Sequence, residues 1–454
     1  MQCILSKQLY LSFLVRDILR LLAIESVTET EGISICQKEV CKIADELGFH
    51  HEYHANNRVI VISPKKLIPH EPIKLGFVVH LDTVPFDKKE WHYNPLGEIA
   101  NGRIYGRGII DNKGAIIMCL YALYQQKPNF NWQVIVGSCE EGVWYDMQDY
   151  LAEKPVLPEF MVTVDGDGIQ NGCRGYMDII CKFKKNEQSP SCLTSLKAGD
   201  ANNSVPAYAE ACIDGENFTS YGKAAHSSTP ANGENALLNL AKVLQDSHSN
   251  SLQYPGFLEL LNNLHQDGSF SADILPEYPA YKDEQFVGCT TICPTKAELS
   301  TDSSTLSLWL NVRINPFVTC KNLVEFIKKL EKLYGCETEL LEYTAPAFIS
   351  TEHRYFKAML EAHEEATCQE AHITFAQGVG YNAALPNCAI FGPRFEQDEE
   401  DLCHAADESR TVEDIWKCLL MLEGFISKIW AFPAMSPLAP PAFSSLRVRA
   451  FLLS

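Results

Sequence analysis

The chain has 454 residues, a length that we expect to form two domains. It carries 38 lysines and arginines against 58 aspartates and glutamates, a formal net charge of −20. A surface this acidic repels phosphate backbones and anionic lipids, so nucleic acid and membrane are excluded as main partners. The 17 cysteines are odd in number and form no Cys-x-x-Cys pair, which favours a reducing, cytoplasmic location over a disulfide framework.

The first part of the chain alternates helix and strand patterns. Apolar residues recur at helical spacing over residues 11–24 and 34–47. Because charged residues follow the first apolar run where a signal sequence needs small ones, we predict an amphipathic helix there. Short apolar runs then predict strands at 58–63 and 74–80.

A second group of elements completes this pattern, with a helix predicted over 113–126 and buried strands at 134–136 and 160–164. The alternation is typical of an α/β domain with a mixed, largely parallel sheet. Further helical patterns occur at 320–334, 352–366 and 411–429. No apolar stretch reaches the roughly 18 residues that are needed to cross a bilayer.

The pattern of apolar and polar residues changes near residue 178, where polar loops begin to separate shorter predicted strands. One economical organisation is a domain formed by residues 1–177 and 344–430 and interrupted by an inserted α+β domain at 178–343. The segment 431–454 is rich in proline and then apolar, and it is expected to be a loosely attached tail.

Residues with metal-binding chemistry follow the predicted strands. His80 and Asp82 are two residues apart at a strand end, so their side chains share one face. Asp111 lies in a glycine-rich turn at the start of a helix, and Glu140 and Glu141 follow another strand, pointing to different sides. The His80–Asp82 pair alone would fit a surface position, but this many carboxylates in one pocket require positive charge, which two metal ions would supply.

Three motifs resemble, in order and spacing, those of the M20 family of metallopeptidases: His80-Leu-Asp82, Gly106-Arg-Gly-x-x-Asp111-x-Lys-Gly114 and Glu140-Glu141. That family uses two zinc ions and includes dipeptidases, carboxypeptidases and N-acyl amino acid deacylases. The similarity runs from about residue 10 to 430 and is closest to the PepV-like dipeptidase branch. It implies a zinc-peptidase catalytic domain interrupted by a lid domain.

The resemblance implies a metal-binding role for five residues. Asp111 would bridge two zinc ions, and Mn²⁺ or Co²⁺ could replace the zinc. His80 and Asp165 would complete one metal site, while Glu141 and His404 would complete the other.

Other matching residues would act on the substrate or on the water. Asp82 would orient His80, and Glu140 would serve as general base. From the lid, His226 would polarise the scissile carbonyl, and Arg313 would hold the terminal carboxylate of the substrate.

One ligand position has two candidates in the sequence. Asp165 directly follows the predicted strand and fits the family position better, whereas Asp167 lies two residues later in a glycine-rich turn. A solvated acid in the turn is the simpler interpretation of Asp167.

Asn203 and Gly380 are expected to contact the substrate, but the chain departs from the dipeptidase branch in this region. Gly380 and Ala383 stand where that branch has threonine and arginine. The chain also has Gly172-Cys-Arg-Gly175 where the branch reads Gly-Glu-Lys-Gly. These differences concern the substrate and leave the metal chemistry unchanged.

The sequence therefore predicts a di-zinc metallohydrolase that cleaves dipeptides or other small peptides with a metal-activated water. An N-acyl amino acid deacylase of the same family is the alternative, and a non-catalytic binding protein is the alternative from another class. The expected partner is a small peptide or acyl amino acid. The intermediate length of the lid favours a monomer over a homodimer.

Overall fold

The computed structural model describes residues 7–189, 192–248, 252–282, 284–395, 402–430 and 432. This part of the chain divides into two compact units. The first unit contains the chain up to residue 172, residues 348–375 and the residues from 380 onward, and the second contains 173–347 and 376–379. Apart from Phe432, the predicted tail at 431–454 lies outside the described residues. Within the described ranges, every helix is too short or too polar to cross a membrane.

The secondary structure alternates in the first unit and is mostly strand in the second. The α-helices are α1 (Lys7–Leu22), α2 (Gly32–Glu46), α3 (Lys113–Gln126), α4 (Tyr145–Ala152), α5 (Ala236–His248), α6 (Phe257–Asn262), α7 (Cys320–Tyr334), α8 (Arg354–Thr367), α9 (Tyr381–Ala384) and α10 (Val412–Ile429). The strands are β1 (Phe49–His54), β2 (Val59–Pro64), β3 (Ile73–His80), β4 (Glu98–Ala100), β5 (Arg103–Tyr105), β6 (Asn131–Gly137), β7 (Phe160–Thr163), β8 (Ile169–Cys173), β9 (Gly175–Lys184), β10 (Leu193–Ala198), β11 (Tyr208–Ile213), β12 (Glu216–Tyr221), β13 (Tyr281–Lys282), β14 (Gln285–Phe286), β15 (Thr291–Leu299), β16 (Thr305–Ile314), β17 (Glu337–Thr344), β18 (Ala347–Phe348), β19 (Ile373–Ala376), β20 (Cys388–Phe391) and β21 (Ser409–Thr411).

The first unit is built on a nine-stranded mixed sheet with the order β1-β2-β6-β3-β7-β20-β8-β18, and β19 pairs with β8. The four central strands β6, β3, β7 and β20 are parallel to one another. Toward the edges, β1, β2 and β8 join by antiparallel pairings. The predicted α/β class with a mixed sheet is therefore confirmed, and its parallel part lies at the centre.

The central strands are apolar on both faces because both faces are covered. In β3, every residue except Lys74 is buried, as expected for a strand inside a parallel sheet. Alternate residues of β3 enter two different hydrophobic clusters: Phe77 and Val79 pack in one, and Val78 in the other. The strands thereby form a rigid support for the residues that follow their carboxyl ends.

The second unit is a seven-stranded antiparallel sheet with the order β12-β11-β10-β15-β16-β9-β17, combined with α5, α6 and α7. Its core collects the inward residues of the strands and the apolar faces of these helices. The helix α7 begins with a capping box, in which Thr319 and Asn322 bond each other's backbone N–H groups. This unit has the α+β class predicted for the inserted domain.

Candidate functional site

Most of the predicted site residues of the first unit follow the carboxyl ends of its central parallel strands. His80 is the last residue of β3, Glu140 and Glu141 follow β6, and Asp165 follows β7. Parallel strands end at a common edge of the sheet, and in α/β proteins this edge gathers ligands. The topology therefore brings together residues that are far apart in sequence.

Two groups of three side chains offer ligand atoms that lie within 4.8 Å of one another: His80, Glu140 and Asp165 in one, and Asp111, Glu141 and His404 in the other. Asp111 connects the two groups. Its Oδ1 lies 2.8 Å from His80 Nε2, and its Oδ2 lies 2.9 Å from His404 Nε2. One carboxylate thus faces two imidazole rings, the arrangement of a bridging ligand.

The donor atoms in these groups fit metal ions. Among the described residues, His80 Nε2 and Asp111 Oδ1 are buried and form no hydrogen bond, although they lie 2.8 Å apart. Buried polar atoms without a hydrogen bond are rare in native proteins, and a shared cation would explain two such atoms side by side. Imidazole nitrogens combined with carboxylate oxygens form a donor set that zinc accepts.

The acidic groups of the site strongly influence one another. Burial raises the pKa of Glu140 well above its usual range, and the charges of Asp165 and Asp111 act in the same direction. Hydrogen bonds to Asp111 and Glu141 raise the pKa of His404 to about 10. The site therefore holds more negative charge than its imidazoles can neutralise, and divalent cations would relieve the excess.

Asp82 is fully buried and contacts both His80 and the turn that carries the two glutamates. Its Oδ1 lies 3.3 Å from His80 Nδ1, and its backbone carbonyl lies 3.0 Å from the same nitrogen. The carboxylate accepts hydrogen bonds from the backbone N–H groups of Glu140 and Glu141, both at 3.1 Å. Thr28 Oγ1 donates a further bond at 2.8 Å. Asp82 thus fixes the turn in addition to contacting the imidazole.

A second buried carboxylate, Asp146, holds the same turn from its other end, and the sequence analysis missed it. Asp146 Oδ2 accepts from the backbone N–H groups of Ser138 at 2.7 Å and Cys139 at 3.1 Å. The hydroxyl of Tyr381 donates to the same oxygen at 2.5 Å. An acid in the first turn of a helix soon after Glu141 was the available signal, but Tyr381 is 235 residues away in sequence.

A buried ion pair fixes the loop that carries Asp111, and it too was missed. Glu408 accepts from the backbone N–H of Ile110 at 2.9 Å, and Arg107 Nη1 donates to Glu408 at 2.7 Å. Arg107 Nη2 also donates to the carbonyl of His404 at 3.1 Å. The pair therefore connects the two segments that carry Asp111 and His404. The peptide bond that follows Asp111 is cis.

The structure separates the two candidates for the ligand after β7. Asp165 lies in the group with His80, whereas Asp167 belongs to neither group. Asp167 forms an ion pair with Arg394 at 2.7 Å, and 53% of its side chain is exposed. Asp167 is therefore a half-exposed acid that pairs with an arginine in the turn.

The loop before α9 lies next to Glu140. A Cβ added to Gly380 would lie 3.2 Å from Glu140 Oε1 and 3.5 Å from Asn382 Oδ1. The threonine of the dipeptidase branch would therefore crowd the glutamate, and glycine leaves this space open. Asn382 is buried, and neither polar atom of its side chain forms a hydrogen bond with the residues that the structure describes.

The three predicted site residues of the inserted domain lie together within the second unit. The carbonyl of Asn203 accepts from the backbone N–H of Ser227 at 2.9 Å, and Ser204 forms a β-bridge with His226. Arg313 Nη2 donates to Ser227 Oγ at 3.5 Å. Arg313 is buried, whereas Asn203 and His226 are exposed. The segment His226–Ser227 therefore connects Asn203, His226 and Arg313.

The surroundings of His226 favour its neutral form. Its Nδ1 lies 2.6 Å from Ser228 Oγ and 3.2 Å from the backbone N–H of Ser228, and when Nδ1 accepts from both groups the neutral ring carries its proton on Nε2. Burial lowers the pKa of His226, and the nearby charges of Arg313 and Arg174 lower it further. The exposed imidazole thus presents an Nε2–H group suited to an oxygen that develops negative charge.

Comparison with known proteins places this geometry in context. A model of peptidase family M20/M25/M40 matches residues 76–428. The protein YtjP of Bacillus subtilis (strain 168) is 25% identical over 390 residues, which cover 75% of this chain and 80% of YtjP. The Beta-Ala-Xaa dipeptidase of Lactobacillus delbrueckii subsp. lactis is 23% identical over 381 residues, covering 75% of this chain and 79% of its own. The solved structure of aminoacylhistidine dipeptidase from Vibrio alginolyticus matches 93% of this chain and 97% of its own, with a TM-score of 0.63 and 12% identity.

Proposed function

The chain belongs to peptidase family M20/M25/M40 and is a metallopeptidase, and we propose that it hydrolyses the amide bond of dipeptides or other small peptides. The observation that carries this proposal is the pair of ligand groups joined through Asp111. Relatives named as dipeptidases support the choice of substrate.

Two metal ions are proposed for the site, with zinc as the resident metal and Mn²⁺ or Co²⁺ as substitutes. His80 and Asp165 would hold one ion, Glu141 and His404 the other, and Asp111 would be shared. When bound, the ions supply positive charge that lowers the pKa of a water molecule and stabilises negative charge on the carbonyl oxygen.

Glu140 is proposed as the general base. It takes the proton from the attacking water and gives it to the leaving amine, so one carboxylate serves both proton transfers. Burial raises the pKa of Glu140, and a raised pKa favours a carboxylate that accepts a proton and passes it on. Asp82 holds the N–H of Glu140 and thereby limits the motion of this residue relative to His80.

The second unit is proposed to supply the substrate contacts. The Nε2–H of His226 would donate to the oxygen of the scissile carbonyl, and Arg313 would bind the terminal carboxylate. Asn203 and Gly380 are proposed as further contacts. Under this assignment, residues 1–177 and 344–430 are the catalytic domain, and 178–343 are the lid.

An N-acyl amino acid deacylase remains the second candidate because of one observation in the loop before α9. Ala383 stands where the dipeptidase branch has an arginine, and Gly380 leaves space beside Glu140. A larger or uncharged acyl group would fit such a loop, whereas a free α-amine requires polar or acidic partners.

Turnover on two substrate panels decides between these candidates. The protein loaded with zinc or manganese is given unblocked dipeptides and, in parallel, N-acetyl and N-succinyl amino acids, each with a chelator control. We expect chelator-sensitive cleavage of the dipeptides. Cleavage of the acyl substrates alone would establish the deacylase, and no cleavage of either panel by the metal-loaded protein would contradict the peptidase proposal.

The oligomeric state and the location of the protein are also proposals. We propose a monomer of 50.9 kDa in preference to a homodimer, and light scattering on a size-exclusion column measures the molar mass that distinguishes them. We also propose a cytoplasmic location, in which the 17 cysteines remain reduced.

A further inference from the structure

Arg174 is a buried arginine of the second unit that the proposed mechanism does not use. It directly precedes β9, and 3% of its surface is exposed. β9 pairs with β16 so that Tyr176 lies opposite Arg313. Arg313 Nη2 donates to Ser227 Oγ, and Arg174 Nη2 donates to the carbonyl of the next residue, Ser228. The two guanidinium groups therefore contact adjacent residues of the same segment.

The guanidinium of Arg174 is held by backbone but lacks an acidic partner. Its Nη1 donates to the carbonyl of Cys289 at 3.1 Å, and its Nη2 donates to the carbonyl of Ser228 at 2.7 Å. Its Nε is buried and forms no hydrogen bond with the part of the chain that the structure describes. Among the residues that the structure describes, no carboxylate forms an ion pair with Arg174. Two fixed bonds orient the group, and donor capacity remains for a ligand.

The charges around the two arginines differ. Burial lowers the pKa of both, but Asp178 and Glu342 act in the opposite direction on Arg313. No carboxylate of the described residues acts on Arg174 in this way: burial lowers its pKa to about 10, and the positive charge of Arg313 adds to the effect. A buried charge without compensation is strongly unfavourable, and an anionic ligand would provide the missing charge.

Thr291 and Gly288 are neighbours of the two arginines. Thr291 lies opposite Arg313 on β15, and its buried hydroxyl forms no hydrogen bond within the described ranges. Gly288 has a φ of +78°, and a Cβ there would lie 2.9 Å from Gln377 Oε1, 3.2 Å from Arg174 Cδ and 3.6 Å from Arg174 Nε. A side chain at this position would crowd both neighbours, so glycine lets the Gln377 amide and the Arg174 guanidinium pack closely on this face.

We propose that Arg174 is a specificity residue that binds a second carboxylate of the substrate. The preferred substrates are then small peptides with a C-terminal aspartate or glutamate. This inference rests on the proposed function. In it, Arg313 binds the terminal carboxylate of the substrate and Arg174 binds the side-chain carboxylate. The planar fork of each guanidinium matches the geometry of a carboxylate.

The test compares Ala-Glu with Ala-Gln, which have nearly the same shape and differ by one charge. For the metal-loaded wild type we expect kcat/KM to favour Ala-Glu by about 10- to 100-fold, the range of a buried charge-assisted hydrogen bond. Arg174→Gln is expected to bring the ratio close to one, mainly by raising KM for Ala-Glu. Lys321→Gln is the matched control, because it removes the same charge from a side chain of the second unit that is 84% exposed.

Binding of the products separates this inference from the proposed function. Calorimetry with free glutamate and free glutamine on the wild type should show tighter binding of glutamate by about 10-fold or more, whether or not any dipeptide is cleaved. Arg174→Lys provides a second variant in case Arg174→Gln does not fold, and we expect it to reduce the preference at least threefold. Equal affinity for glutamate and glutamine in the wild type, or an unchanged ratio in a folded Arg174 variant, would overturn the inference.

Discussion

Asp111 lies between two imidazole rings, and the three other carboxylates of the site surround this arrangement. The adjacent residues Glu140 and Glu141 belong to different ligand groups, although they share one turn. Glu140 and Glu141 are therefore proposed to have separate tasks, which substitutions can test.

Glu140→Gln should retain two bound metal ions but lose turnover by about 10²- to 10⁴-fold, the usual contribution of a general base. Glu141→Gln should instead weaken one metal site, because it removes a ligand from the group with Asp111 and His404. Metal content by plasma mass spectrometry and kcat on a cleaved dipeptide measure both effects. Loss of metal from Glu140→Gln would contradict its assignment as base and make it a ligand.

The pKa of His404 predicts a coupling between protons and metal ions. In the metal-free protein the pKa is about 10, above the ordinary value of about 6.5. The protonated ring therefore stabilises the metal-free fold fully below about pH 6.5, and this contribution is lost as the pH rises through 10. Metal binding must displace that proton, so affinity should fall as the pH falls.

Calorimetric titration of zinc at pH 7 in two buffers with different ionisation enthalpies measures this coupling. We expect the release of at least one proton per chain, because His404 is protonated before the metal arrives. His404→Ala should release fewer protons and bind less metal. Zinc binding without proton release in the wild type would show that the imidazole is already neutral at pH 7.

Among the structural elements, the turn between β6 and α4 carries most of the chemistry and is held by two buried carboxylates. Asp146 accepts from its first two N–H groups, and Asp82 accepts from the next two. Four successive backbone donors are thereby fixed. This explains how the site can position two adjacent glutamates on an irregular turn.

Asp146→Asn should destabilise the fold by about 1–3 kcal/mol and lower kcat by about 10-fold, because the turn loses charged acceptors. The KM and the metal content should change little. Urea unfolding and steady-state kinetics measure both effects. Asp149→Asn is the control on the same helix, since Asp149 forms only a half-exposed ion pair with Arg58. Equal kinetics in the two variants would contradict a positioning role for Asp146.

The elements that the sequence predicted well are those with continuous or strongly periodic apolar patterns. The strand expected at 74–80 is Ile73–His80, and the helix expected at 113–126 is Lys113–Gln126. The helix α4 and the strands β10, β11 and β12 were missed, because each has no more than eight residues and carries no long apolar run.

The candidate site divides in the same way between residues that the sequence predicted and residues that it did not. Motifs identified the groups that face the metal, because each motif is contiguous. Asp146, Tyr381 and the Arg107–Glu408 pair act through bonds between distant segments, and only the fold brings these together. In the sequence, Arg174 is apparent only as a difference from the dipeptidase branch. That its Nε forms no hydrogen bond with the described residues becomes apparent only in three dimensions.

In the whole molecule, metal binding should stabilise one region more than the other. The proposed ligands belong to the first unit, whereas β16 lies in the core of the second. Hydrogen exchange should therefore slow on metal binding at residues 108–112 and 138–142, because the bound state must open less often there. Residues 305–314 should change little. Equal protection of both regions would contradict a site confined to the first unit.

We propose that hydrolysis of small peptides requires two metal ions, held by the two ligand groups that Asp111 joins. The most direct measurement titrates chelator-treated protein with zinc and records bound metal and dipeptide turnover in the same samples. We expect no turnover without metal and maximal turnover at two bound ions per chain. Full turnover in the presence of chelator, or two bound ions without cleavage of any dipeptide, would contradict it.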